Sequence, residues 1–176
     1  MRVRQVLSGL ACLMLCACAA PVMTVTFVSV AAFDGRGGAE AERAFNRPYL
    51  KIQFTTDHDL RDYAIRNAMV LSAHADFCSG ISRSGRSQLQ YSPDIYDSKG
   101  VVNAYSLSPL PRQNYSFYVS LASVRLPDQP FTPYDLRQSP VDICFLLNAE
   151  SALSYPVTSN TVLIPAARVA AALSAR

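Results

Sequence analysis

The chain contains no tryptophan, and only two of its 176 residues are histidine, His58 and His74. A site built on several histidines, whether for metal binding or triad catalysis, has little to draw on. No Cys-x-x-Cys pair occurs, and no glycine-rich loop of the type that cradles phosphate. Dithiol redox chemistry and nucleotide binding are therefore without support. Charged residues make up only 16% and hydrophobic ones 50%, a balance that favours a folded domain over a disordered one. The net charge is only +3 and no basic stripe is present, so nucleic acid is a poor partner. There is no internal repeat or low-complexity block.

What is present at the start of the chain follows the logic of a secretory signal. Arg2 and Arg4 form a short positive region, Val6 to Cys16 an apolar one, and Ala17 supplies a small residue for cleavage. The apolar stretch is shorter than the roughly 20 residues a membrane-spanning helix needs. The run Leu15-Cys16-Ala17-Cys18 resembles the lipobox of bacterial lipoprotein precursors, with an aliphatic residue three before the cysteine and a small one just before it. The resemblance implies removal of a signal peptide over 1–17 and acyl chains on Cys18. A short tether over 18–21 and a single β-rich, periplasm-facing domain over 22–176 would follow. Cys16 fits less well behind the large Leu15, and Cys12 lies inside the apolar run.

Two alternatives stay open. Ala17-Cys18-Ala19 also has the form of an ordinary secretory cleavage site, and apolar residues resume from Val22 to Phe33, as an uncleaved anchor would require. Pro21, Thr24, Thr26 and Ser29 weigh against one continuous membrane helix. Ala19 stands where retained inner-membrane lipoproteins tend to carry aspartate, so the resemblance implies the inner leaflet of the outer membrane.

Cleavage there would leave 159 residues, enough for one domain with a real core. It would also remove Arg2 and Arg4, leaving 14 basic side chains against 13 acidic ones. Cys12 and Cys16 would leave with the signal and Cys18 would be lipidated. Cys78 and Cys144 then form an even pair in an oxidising compartment, where a disulfide is expected. Closing their 66-residue separation contributes about 4 kcal/mol in the loop-entropy account. Two separately buried thiols are the alternative.

The dominant period after the leader is two, the signature of strands. Met23, Val25 and Phe27 alternate with Thr24 and Thr26, and Leu50, Ile52 and Phe54 alternate with Lys51, Gln53 and Thr55. Asp57 to Asn67 reads either as a short helix or turn capped by Asp57, the favoured reading, or as a strand continuing into Met69-Val70-Leu71; a strand over about 68–78 ending at Cys78 follows. Asp97-Ser98-Lys99-Gly100 reads as a turn joining strands near Leu89–Tyr91 and Val101–Leu107. Tyr115 to Arg125 reads as a strand with Phe117, Val119 and Leu121 on one face and Ser116, Tyr118 and Ser120 on the other. Pro127, Pro130, Pro133 and Pro140 mark a long surface connection, and Val141 to Leu147 reads as a central strand. A short strand over 161–164 and a helix over 166–173 close the chain.

Six to eight short strands with Pro- and Gly-rich turns predict a mainly β domain, an immunoglobulin-like or related β-sandwich with short helices. Cys78 and Cys144 on separate strands suit an inter-sheet staple like that of immunoglobulin-like domains, although the tryptophan that packs on such a staple is missing.

Several clusters invite a chemical reading. His74, Asp76 and Cys78 share one strand face and each type binds metals, but the disulfide claims Cys78 and a His–Asp surface pair explains the rest. Asp57-His58-Asp59 reads as a polar turn or cap. Gly80-Ile81-Ser82-Arg83-Ser84 begins like a nucleophile elbow but lacks its second glycine, Gly85 arriving one residue late. Arg83 and Arg86, in the same loop, are candidates for anionic headgroups or cell-wall carboxylates. Tyr91, Tyr96 and Tyr105, with Tyr115 and Tyr118, make an aromatic-rich middle able to form a sugar- or protein-binding surface. No catalytic residues, metal or cofactor are assigned. The expectation is a non-enzymatic lipoprotein, held to the membrane by its lipid and docking on an envelope or secretion protein. A small-ligand or glycan-binding module is the alternative, and an envelope hydrolase the remaining rival.

Overall fold

Strand parity becomes structure wherever one set of alternating side chains is apolar. The computed structural model describes residues 23–34, 48–79, 88–98, 100–102, 114–123, 133–151 and 154–175. In chain order its elements are β1 (Val25–Phe33), β2 (Tyr49–Thr56), α1 (Leu60–Asn67), β3 (Val70–Phe77), β4 (Tyr96–Asp97) and β5 (Gly100–Val101). Then follow β6 (Tyr115–Ser120), β7 (Ile143–Ser151), β8 (Ser154–Thr158), β9 (Val162–Ile164) and α2 (Ala166–Ser174). They form two antiparallel sheets, β1-β2-β6-β4-β5 and β3-β7-β8, with β9 also on β7. The result is a sandwich-like, mainly β domain.

Leu50, Ile52 and Phe54 are fully buried, as their alternation predicts. Their neighbours across β6 are Val119, Phe117 and Tyr115, which face the same interior. From the other sheet Phe145 enters the gap, its ring 5.7 Å from Phe54 and 5.0 Å from Phe117, while Phe54 and Phe117 are 6.2 Å apart. All three contacts are tilted, the arrangement that aromatic quadrupoles prefer over a face-to-face stack.

The sheets are joined at both sides by polar devices. On one side the segment 88–95 runs between β3 and β6: Pro93 accepts from the Ala73 N–H, while Gln90 C=O and Ser92 N–H bond to Ser120 and Tyr118, all at 2.8 Å. On the other side Asn160 substitutes for a strand. Its Oδ1 accepts the Val25 N–H at 2.6 Å and its Nδ2 donates to the Val25 C=O at 3.0 Å. Asn160 sits where the return strand breaks, β8 covering the C-terminal half of β7 and β9 the N-terminal half. At that break Ser159 keeps the ladder going, exchanging bonds of 2.9 Å with the Leu147 N–H and C=O.

α1 bridges the sheets at one end. The cap is Asp59 rather than Asp57: its carboxylate accepts the Arg61 and Asp62 N–H groups at 2.9 and 3.1 Å. The Tyr115 hydroxyl accepts the Leu60 N–H at 3.0 Å, satisfying another of the helix's orphan donors. Arg61 is buried and grips Asp97 at the β4–β5 turn with both Nε and Nη2, the latter at 2.9 Å from Oδ1. The Asp97 carboxylate raises the Arg61 pKa against the opposing effect of burial, so the pair is charged.

Other expectations are corrected. Cys78 and Cys144 are bonded, Cα–Cα 4.8 Å, but they join adjacent strands of one sheet rather than two sheets. Asp76 lies opposite Cys144, and the Cys78 N–H reaches the Asp142 carbonyl at 3.2 Å, which makes the staple a diagonal one. β6 ends at Ser120, and Ser116, Tyr118 and Ser120 are buried like the opposite parity. Gly100 has the positive φ (115°) expected, yet the hairpin it closes has two-residue strands, and Tyr91 contributes an isolated bridge to Val119. In the proline-marked connection Asp135 bridges Ala122 and Leu136 is buried, so that part is packed. β8, Ser-Tyr-Pro-Val-Thr, is a strand that the alternation of the sequence does not announce.

Two stability measurements check these joints. Asn160→Ala strands the backbone groups of Val25 and is expected to cost about 1–3 kcal/mol in urea unfolding, with faster exchange of the Val25 amide. Arg61→Met should cost about 3–5 kcal/mol by leaving Asp97 buried and unpaired, whereas Arg61→Met with Asp97→Leu should cost less than that single change.

Candidate functional site

A concavity opens where β3 ends and β7 and α2 begin. It is a cleft of about 720 Å³ whose walls include Phe77, Tyr134, Leu136, Val141, Asp142 and Ala166, with Cys78 of the disulfide at its edge. Tyr134 is held on three sides. Its hydroxyl accepts the Gln90 N–H at 2.9 Å and donates to the Ser120 carbonyl at 3.3 Å, and its own N–H donates to Ser123 Oγ at 3.0 Å. Its ring meets Phe77 edge-on at 5.4 Å. Burial raises the Tyr134 pKa, so the hydroxyl stays a neutral donor at ordinary pH.

The carboxylates of the cleft are already engaged. Asp142 accepts the Ala166 N–H at 2.7 Å and so caps α2, whose own N-cap residue, Pro165, offers no side-chain bond. Asp135 is clamped by Arg137 through Nε at 2.9 Å and Nη2 at 2.6 Å; this hydrogen bonding holds its carboxyl below the usual range. What is left is an apolar wall with a few hydrogen-bonding groups, suited to an apolar or aromatic body rather than to an ion. Neither histidine lines it, so its serines, Ser79 and Ser139, have no imidazole base within the cleft.

The residues singled out from the sequence are dispersed. His74 and Asp76 do share a face of β3, but they are not a surface pair. His74 Nδ1 lies 2.8 Å from the Tyr91 hydroxyl, with the two rings perpendicular. Asp76 is buried, and its Oδ1 accepts the Phe77, Gln88 and Leu89 N–H groups at 2.8, 3.1 and 3.3 Å. With Cys78 in the disulfide, each member of that cluster is committed elsewhere. Among the described residues no three His, Cys, Asp or Glu side chains are grouped as a metal site. Asp57-His58-Asp59 is a polar turn: Asp57 accepts the Thr24 N–H at 2.9 Å and lies 3.9 Å from His58 Nε2, the His58 ring meets Tyr63 at a tilt, and Asp59 caps α1.

Tyr96 is buried, edge-on to Tyr118 at 5.4 Å, in a cluster that also takes in Phe33 and Tyr49 and lies beneath the Lys51 ammonium. It is therefore packing, not an open binding surface. Cys18, Arg83, Arg86, Tyr105 and the Gly80–Ser84 run lie outside the described residues. The cleft residues Phe77, Tyr134 and Asp142 were missed because nothing local marks them. Tyr134 sits in a proline-rich stretch, and only the fold brings it to Phe77. No family model, no curated protein and no solved structure matches the chain.

Burial raises the pKa values of Tyr91, Tyr115 and Tyr134 above the ordinary 10.0. In each case the neutral form is favoured in the folded state, so their contribution is complete below about pH 10 and declines as the unfolded chain ionises above it. Unfolding midpoints should fall steeply on raising the pH through that range, and Tyr134→Phe should reduce the slope. Unchanged midpoints with no lag in phenolate absorbance would contradict the burial of these hydroxyls.

Proposed function

We propose that the chain is a bacterial envelope lipoprotein, anchored through acylated Cys18 in the inner leaflet of the outer membrane. Its two-sheet domain acts as a non-enzymatic module that docks on another envelope or secretion protein. The observation that carries this reading is the run Leu15-Cys16-Ala17-Cys18, followed within five residues by Met23, already a buried core residue. The Cys78–Cys144 disulfide supports it, because such bonds persist in oxidising compartments. So does a cleft whose carboxylates already serve a helix cap and an ion pair. The fold is proposed as a relative of the immunoglobulin-like sandwich in its paired sheets, not in its disulfide, which links neighbours in one sheet.

A second reading, a small-ligand or glycan-binding lipoprotein, draws on the cleft itself. Phe77 and Tyr134 give it an aromatic wall of the kind sugars and apolar ligands use. In that case the ligand contacts are at the cleft rather than at the packed Tyr96.

Mass spectrometry of the mature protein is expected to give an acylated N-terminal Cys18. Cys18→Ala should move the protein from the membrane to the soluble fraction while the domain still folds. An N-terminus at Ala20, as the Ala17-Cys18-Ala19 site would give, or membrane retention of the alanine variant, would refute the anchor. Crosslinking in intact envelopes is expected to recover a protein partner, and loss of that product in a Tyr134→Ala variant would assign the contact to the cleft.

A further inference from the structure

The sandwich has two unlike ends, and the chain enters at one of them. Met23 is 1% exposed, and Val25 is clasped by Asn160. Register brings the end of β2 and the start of β6 to that entry, and α1 follows directly from β2, its Leu60 N–H bonded to Tyr115 of β6. The cleft lies at the opposite end, beyond Phe77, Ser120 and Ile143. β1 runs from one end to the other, and its nine residues span about 30 Å at strand rise.

We infer that the entry end faces the lipid surface at close range and that the cleft points away from it into the periplasm. This rests on the reading that Cys18 carries the acyl chains. Five residue steps separate Cys18 from Met23, and fully extended they reach at most about 18 Å. An inverted domain, with its cleft on the lipid, would need the tether to reach back along the whole of β1, about 30 Å. The tether is too short for that.

The side chains at the entry end agree. Ile65 on α1 and Val70 just after it are 53% and 62% exposed, apolar groups that headgroup contact would cover. The cations of α1 are both paired, Arg61 with buried Asp97 and Arg66 with Asp62 at 2.7 Å. Orientation therefore comes from tether length and apolar contact, not from a polybasic patch, and salt leaves it unchanged.

The absence of tryptophan makes the test direct, since one introduced indole reports without background. Thr161→Trp places it on an exposed residue next to Asn160, and Gln138→Trp on the exposed rim of the cleft. Ile65→Trp is a second reporter for the entry end. The full lipoprotein, reconstituted in liposomes with nitroxide-labelled headgroups, should show several-fold stronger quenching for Thr161→Trp and Ile65→Trp than for Gln138→Trp. That contrast should hold at low and high salt. A Gly/Ser insertion of about 20 residues after Ala20 should abolish it. Equal or reversed quenching in protein whose Cys18 is acylated overturns the orientation alone, as does a contrast that survives the insertion. An unacylated N-terminus by mass spectrometry of the same sample overturns the lipoprotein reading as well, so the two failures are told apart.

Discussion

The contact on which the rest depends is the meeting of Phe54 and Phe117 from one sheet with Phe145 from the other. It fixes which parity of β2, β6 and β7 faces inward, because a slip of one residue would turn each ring outward. Leu50, Ile52, Val119, Ile143 and Leu147 then follow into the same layer without further instruction. With that layer in place, each remaining element has one way to dock. α1 lays Leu60 and Ala64 against the core, and α2 contributes Val169.

A sandwich of two sheets leaves a problem at its sides, where the backbone ladder must stop although the chain is still buried. Here polar side chains complete the bonding that a neighbouring strand would have supplied. Asn160 offers Val25 both an acceptor and a donor, as a strand residue would, and Ser159 pairs with Leu147 by accepting at its Oγ and donating its own backbone N–H. Asp76 gathers three N–H groups at the opposite crossing. Among the described residues no buried side-chain nitrogen or oxygen lacks a partner. Such groups are costly when stranded, which is why they are paired at each crossing.

These same demands explain the fate of the residues that looked chemical. Histidine, aspartate and cysteine on one strand face suggest a ligand set, yet at the side of a sandwich they are needed as joints. Arg61 and Asp97 tell a parallel story, since a buried guanidinium bound at two atoms fixes α1 to a turn 36 residues away. What the fold leaves available is a cleft whose apolar wall is lined by Phe77 and Tyr134 at the end away from the chain entry.

Alternation alone revealed β2 with its core face and the presence of β6, whose two faces are both buried. The cysteine count pointed to the Cys78–Cys144 bond, and composition to a folded domain. Local chemistry left the segment after β2 open between helix, turn and strand; the structure makes it the helix α1, capped by Asp59 rather than Asp57. These features are legible because they depend on near neighbours, where period and turn residues act. The packing of Tyr96 and Tyr118, the diagonal rather than inter-sheet disulfide, the Asn160–Val25 clasp and the cleft around Tyr134 depend on residues 11 to 135 positions apart. No local pattern encodes such a distance. The sequence by itself determined the elements and their inward faces; the tertiary structure decided which polar groups became joints and where a surface stayed open. The reason is that burial assigns each polar atom a partner only after the two sheets have met.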